Sequence, residues 1–282
     1  EFRGTRVPDG NGAGIRFERG KLKVINSAFI DNQTGILTAN FEDAELRIAD
    51  SLFAQAPRQD HSLPHLLYVG RIARFEVSGS RFHQGYRGHL IKTRARHSEI
   101  RYNLIYDGPA GEASYEIDMP NGGVSFVIGN VIGQSGNTQN PVLVAYGAEG
   151  DAWPDSALYL SHNTLLSDRF FGAWFLRVWK DRLPANTEIR AINNLTVGFG
   201  AFTLAASGDF RGNVPAVSPL LGGTDILDFT LPDDSLLRYF GTPPGEARNG
   251  SLAPEAEFKL PIGSQKLAPP ANWAPGAFQS PR

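Results

Sequence analysis

The chain has 282 residues, with 27 basic and 29 acidic side chains and a formal net charge of −2. That balance gives no electrostatic footing for non-specific binding to nucleic acid or to a membrane surface. Cysteine is absent, which excludes disulfides and thiolate metal sites, and no apolar run nears the roughly 20 residues of a membrane-spanning helix.

Apolar residues make up 41% of the chain, with 31 glycines, 19 prolines and 18 phenylalanines against one methionine. This profile suits a turn-rich β protein with a sizeable core. In chain order, short alternating segments come in two recurring kinds. One reads GIRFE (14–18), GILTA (35–39), LLYVG (66–70), HLIKTR (89–94), SYEID (114–118), VLVAY (142–146), WFLRVW (174–179) and AFTLA (201–205). Between these lies a second phrase, in which alternation leads to Ser or Asn and then, two residues on, to an apolar side chain. It reads LKVINSAF (22–29), LRIADSLF (46–53), FEVSGSRF (75–82), EIRYNLI (99–105), FVIGNVI (126–132), LYLSHNTL (158–165) and IRAINNLTV (189–197).

Aligned, the second phrase gives a polar column, Ser27, Ser51, Ser80, Asn103, Asn130, Asn163 and Asn194. Beside it runs an apolar column, Phe29, Phe53, Phe82, Ile105, Ile132 and Leu165. Each cycle holds at least two strands with turns between, and cycle length varies. A sandwich does not repeat one strand pair in this order, whereas a solenoid winding one turn per cycle does. The expectation is a right-handed parallel β-helix with like residues stacked about 4.8 Å apart. Its Asn column forms turn ladders, Asn tolerating the left-handed backbone of a tight turn. Asn32, Asn194 and Asn249 head N-x-S/T triplets, but Asn194 belongs to the ladder. The six histidines show no metal-ligand spacing, and His162 reads as a turn or surface residue.

The repeat fades after FRGNVP (210–215). LPDDSLLRYFG (231–241) predicts one short helix capped by Asp233 or Asp234, with Leu236, Leu237 and Phe240 on one face and Gly241 as its stop. The Pro- and Gly-rich remainder to 282 is expected to run back along the solenoid. Residues 1–282 thus read as a single β-helix domain, with coils over about 1–215 and helix and tail over about 216–282. Because EFRGTRVPDGNGAGI (1–15) resembles AFIDNQTGI (28–36), the chain is expected to begin partway through a coil, leaving an open edge and Ile15 and Phe17 exposed to a partner or to further sequence.

Three stretches carry a family resemblance: DGNGAGIRFERGKLKVINSAFIDNQTGILTA (9–39), GNVIGQSGNTQNPVLVAYGAEG (129–150) and FKLPIGSQKLAPPANWAPGAFQ (258–279). With them the chain resembles bacterial right-handed parallel β-helix repeat proteins of the pectate-lyase-like superfamily, over nearly its whole length. That superfamily includes lyases, hydrolases, epimerases and non-catalytic shafts. The resemblance implies a secreted or periplasmic protein.

Strand alternation suggests where chemistry could sit. In HLIKTR, Lys92 and Arg94 share one face, with His89 and Ile91 on the other. In SYEID, Glu116 and Asp118 face outward, with Tyr115 and Ile117 inside. Stacked in register, Tyr68, Lys92 with Arg94, Glu116 with Asp118, Tyr146, and Arg177 with Trp179 would form one outer wall. The plain reading is a ladder of ion pairs, each worth roughly 0.2–1 kcal/mol. The sharper reading is a groove for an acidic polysaccharide, with Tyr68, Tyr146, Arg177 and Trp179 binding the substrate.

The run IKTRARHSEIRYNLI (91–105) resembles the catalytic-lysine coil of alginate-lyase and chondroitinase-B-type enzymes, where Lys, a small hydroxyl residue and the Asn turn follow in order. Lys92, Thr93 and Asn103 match. That family carries Arg-His-Gly in the following coil, where this chain reads EIDMPNGG (116–123), leaving Arg94 or Arg177 to assist. The resulting expectation is β-elimination on uronate-containing glycans, with Lys92, Arg94, Glu116 and Asp118 as the catalytic group. The alternative is a non-catalytic β-helix that binds a polysaccharide or a partner. Glu116 and Asp118 with nearby carbonyls could also hold calcium. At roughly 6–7 Å apart by strand rise, the two carboxyls would suit glycoside hydrolysis, but the multiple-Asp motifs of pectin-type β-helix hydrolases are missing.

Overall fold

A computed structural model describes residues 1–59, 63–203, 207–248 and 250–280. Its strands assemble into three long parallel sheets. Sheet A has nine strands, from Phe2–Arg3 to Val214–Ala216. Sheet B has eight, from Ala13–Phe17 to Gly200–Ala201. Sheet C has eight, from Lys21–Ile25 to Asp209–Arg211. Each coil passes through B, then C, then A, so the chain is the expected parallel β-helix. Of the AFTLA phrase, Leu204 and Ala205 lie outside the described residues, as does Asn249.

The two columns read from the sequence stack as expected. Phe29 lies over Phe53 and Phe53 over Phe82, each with ring centroids 4.7 Å apart, and Phe2 extends the stack with a centroid distance of 4.9 Å from Phe29. Ile105, Ile132 and Leu165 continue the same register. Rings one strand spacing apart stack face to face and bury their area in the tube.

The polar column forms an unbroken ladder at the corner between sheets C and A. Asn103 N–H donates to Asn130 Oδ1 (2.9 Å), Asn130 N–H to Asn163 Oδ1 (3.0 Å) and Asn163 N–H to Asn194 Oδ1 (3.0 Å). Ser27, Ser51 and Ser80 continue it toward the N-terminus, and Asn213 adds one more rung. The left-handed residue of each corner is the one before the ladder residue: Asn26, Asp50, Gly79, Tyr102, Gly129, His162, Asn193 and Gly212 all have positive φ. The ladder Asn residues are therefore kept for their amides, and the preceding position carries the backbone cost that favours Gly and Asn. His162 sits at such a corner and is buried rather than exposed. Its ring lies 2.9 Å from Ser161 Oγ and 3.0 Å from Asn193 Nδ2.

Two expectations about the ends change. Phe17 is buried and Ile15 half-buried; the apolar ring showing at that end is Phe2, 38% exposed. The segment predicted as a helix over 231–241 forms only a five-residue 3-10 turn, Leu236–Phe240, with no side-chain cap from Asp233 or Asp234. Leu236, Tyr239 and Phe240 stay exposed and only Leu237 packs, half-buried, against the body, too little apolar contact to extend the turn into a helix. The tail does run back along the solenoid. Leu252 packs with Phe126, Ile128 and Tyr159, Glu255 N–H donates to Tyr102 Oη (2.9 Å), and Gly263 N–H reaches Gly79 O (2.8 Å). The chain then returns to lay Ala277 and Phe278 on Leu104, Val131 and Leu195.

Candidate functional site

The site is the outer face of sheet B in its middle coils. Strand pairing sets Tyr68 beside Lys92, Lys92 beside Asp118, Asp118 beside Ala145 and Ala145 beside Arg177. These form one outward column parallel to the solenoid axis. The neighbouring inward positions, Leu67, Ile91, Ile117, Val144 and Leu176, belong to the core.

Alternation alone misplaces the residues at the strand start. Leu66, Leu90, Glu116, Leu143 and Phe175 each precede an inward residue and are nevertheless buried. The sheet B strand of this coil holds only three residues, Ile117–Met119. Just before it the chain turns the corner from sheet A, and two consecutive side chains project inward there. Glu116 therefore occupies a cell that leucine fills in the coils on either side. It is 0% exposed, and among the described residues neither carboxylate oxygen has a hydrogen-bond partner. Burial, with Asp107 nearby, pushes its pKa well above the ordinary carboxyl value, which favours the protonated form. Glu116 does not share the outer wall with Lys92, Arg94 and Asp118.

Tyr146 also leaves the proposed wall. It pairs with Met119 and Val178 on the inward side, is fully buried, and donates its hydroxyl to Gly123 O at 2.5 Å. Its strand, Val142–Tyr146, alternates so that Ala145 faces outward. The same corner shift reverses His89 and Tyr115, which lie outside. Their rings stack at 4.8 Å, and His65 lies 4.9 Å from His89.

Lys92, Arg94 and Asp118 do come together. Lys92 Nζ donates to Asp118 Oδ2 at 2.7 Å and to Glu149 Oε1 at 2.6 Å. Arg94 donates through Nη2 to Glu149 Oε2 (2.6 Å), through Nη1 to Asn121 Oδ1 (2.6 Å) and through Nε to Tyr68 Oη (2.9 Å). The side chains of Lys92 and Asp118 are 7% and 2% exposed. Instead of an open groove, a loop carrying Glu149 lies across the ammonium.

Two residues flank this cluster. Trp153 donates Nε1–H to Arg94 O (2.9 Å), and Arg71 and Arg96 lie over its ring. Two coils beyond Lys92's partner Asp118, Arg177 is exposed and lies 4.4 Å from the Trp179 ring centroid.

The charge states follow from these contacts. Burial pulls the Lys92 ammonium down, but Asp118 and Glu149 outweigh it and hold its pKa above the ordinary value. Burial holds Asp118 above the usual carboxylate range despite Lys92. Glu149 is held below that range, its two cations outweighing partial burial. Burial, then the Lys92 and Arg94 charges, lowers His65 to about 3; burial and His65 lower His89 well below 6.5. Both imidazoles are neutral at pH 7. His65 Nδ1 accepts from His89 N–H (2.9 Å) and His89 Nδ1 from Tyr115 N–H (3.1 Å), so each carries its proton on Nε2. His89 Nε2 points at Asp118 Oδ2, 3.4 Å away.

The chemical consequence is that Lys92, Arg94 and the two histidines serve as cations and hydrogen-bond donors rather than as bases, the carboxylates Asp118 and Glu149 being engaged by Lys92 and Arg94. Lys92 is a protonated donor, and both histidines have their lone pair engaged. The donor set for calcium is also divided. Glu116 projects into the core while Asp118 bonds Lys92 outside, and among the described residues no three His, Asp or Glu side chains converge on a metal position. The two carboxylates do not fit a shared cation.

Sequence reasoning did not find Glu149, Asn121, His65 and His89. Glu149 and Asn121 lie in loops without periodicity. The histidines had a usable signal: HLLYVG and HLIKTR begin alike, and aligning them puts His65 over His89. No family model matches this chain, and no curated protein or solved structure does.

Proposed function

We propose that the chain is a pectate-lyase-like β-helix, secreted or periplasmic, that binds an acidic polysaccharide along the outer face of sheet B without cleaving it. The observation that carries this is the outward column of Tyr68, Lys92 and Arg177, with Arg94 bonded to Tyr68 and Arg177 lying on Trp179. Cations beside aromatic rings match the carboxylates and the apolar ring faces of uronates. The column follows the solenoid axis, as an extended glycan would. Binding is favoured over β-elimination because Lys92, which that reaction would use as base, is held protonated between two carboxylates.

The test is retention on polygalacturonate and on alginate in affinity electrophoresis, with ultraviolet absorbance followed for unsaturated uronate ends. Retention that weakens with added salt, without new absorbance, is the expected result. New absorbance would restore the lyase reading, and absence of retention would remove the glycan.

A further inference from the structure

The cation cluster is completed in an unusual way. Lys92 is positioned by Asp118, and Arg94 by Tyr68 and Asn121, all from sheet B and the turn that follows it. Each cation then turns a further donor outward, and these two donors converge on the same carboxylate, Glu149, one oxygen each at 2.6 Å. Two fixed donors meeting the two oxygens of one carboxylate make a preformed carboxylate site.

Glu149 differs from everything that builds this site. Its side chain is 45% exposed, against 18% for Arg94 and 7% for Lys92. It comes from a loop between Gly147 and Gly150, both with positive φ, outside the sheet that holds its partners. The loop's backbone is held at each residue, by Gly147 N–H to Met119 O (2.9 Å), Arg182 to Ala148 O, Glu149 N–H to Pro120 O (3.1 Å), Asn121 Nδ2 to Gly150 O (2.7 Å) and Arg71 to Asp151 O (3.0 Å), so what is free to leave the cations is the half-exposed Glu149 side chain rather than the whole loop. With Glu149 in place, two cations face two carboxylates and the cluster is neutral. Without it, Lys92 and Arg94 face Asp118 alone and the site carries one net positive charge.

We propose that Glu149 is a built-in stand-in for a ligand carboxylate: the Lys92–Arg94 pair is a uronate-binding subsite, and the Glu149 side chain closes it until a glycan carboxylate displaces it. This rests on the acidic-glycan reading and adds to it the regulation of the site. Because the ligand must compete with a tethered carboxylate, removing that carboxylate raises affinity.

The test compares the wild type with Glu149→Ala, Glu149→Gln and Glu149→Ala/Arg94→Gln. Thermal melting checks that each is folded, and affinity for polygalacturonate is measured by titration calorimetry. The wild type and the two single variants, which keep Arg94, are also titrated with acetate while the Arg94 side-chain NMR signals are followed. Binding about tenfold or more tighter in Glu149→Ala, the scale of one charge-assisted contact, and lost again with Arg94→Gln, supports the proposal. Equal or weaker binding than wild type overturns it and leaves the glycan reading standing. If no protein binds polygalacturonate but acetate shifts the Arg94 signals only when Glu149 is removed, the carboxylate subsite holds and the glycan reading fails. If acetate shifts nothing in any variant, the subsite itself is refuted.

Discussion

Replacing Glu116 by leucine is the sharpest test of how the solenoid interior is built. The side chain is fully buried and, among the described residues, both oxygens are unpartnered. Leu90 and Leu143 occupy the same position in the coils before and after it. A buried polar group without a partner costs about 1–3 kcal/mol, and leucine already fits this cell twice, so overpacking is not expected to offset the gain.

The pH dependence has a definite sign. The carboxyl's folded-state pKa is raised well above 4.5, so its contribution is fully present below the unfolded value and is lost as pH rises. Between the unfolded value near 4.5 and the raised folded-state value the unfolded chain ionises while the native state keeps the proton, and native stability falls as pH rises. Glu116→Leu is therefore more stable than wild type by about 1–3 kcal/mol at pH 4, and its advantage grows as pH rises through that window. Glu116→Gln removes the pH slope but keeps an unpaired amide. Urea-denaturation midpoints at pH 4, 5.5 and 7 give the comparison. A leucine variant less stable than wild type, or an advantage flat across that range, would refute the placement of Glu116 in an apolar cell.

The other expectations follow from single contacts. Asn130→Ala removes an amide that bonds Ile100 O and Asn163 Oδ1 and accepts from Asn103; urea unfolding should show a loss of about 1–3 kcal/mol. Lys92→Ala strands Asp118 beneath the surface and should cost about 3–5 kcal/mol, more than Lys92→Ala/Asp118→Ala; equal losses in single and double variants would deny the coupling. Calcium or a chelator should leave the melting temperature unchanged, since Glu116 and Asp118 lie on opposite sides of the wall; a calcium-dependent rise would overturn that. Gly111→Ala should fail to fold or melt far lower, because a Cβ there would lie 2.0 Å from Asp107 Cγ. That carboxyl binds the Gly85 and Ala113 amides.

What the sequence could and could not show divides along one physical line. Stacked columns are translationally repeated, so any residue at a fixed place in every coil announces itself. The Phe29–Phe53–Phe82 stack and the Asn103–Asn130–Asn163–Asn194 ladder were legible for that reason, as were Lys92, Asp118 and Arg177, which sit inside strands where the period of two holds. The period fails at corners. There Leu90 and Glu116 both turn inward beside an already inward neighbour, and a rule of strict alternation put Glu116 and Tyr115 on the wrong sides. The carboxylate that neutralises Lys92 was harder still, because Glu149 lies 57 residues away along the chain in a loop without period. Only the fold brings it back over the wall. The acid expected to face Lys92 was therefore half right: Asp118 does, while the second comes from outside the repeat. A repeat can be read for its walls, but what closes over a wall comes from the insertions, and in this chain an insertion carries the carboxylate that bridges the two cations.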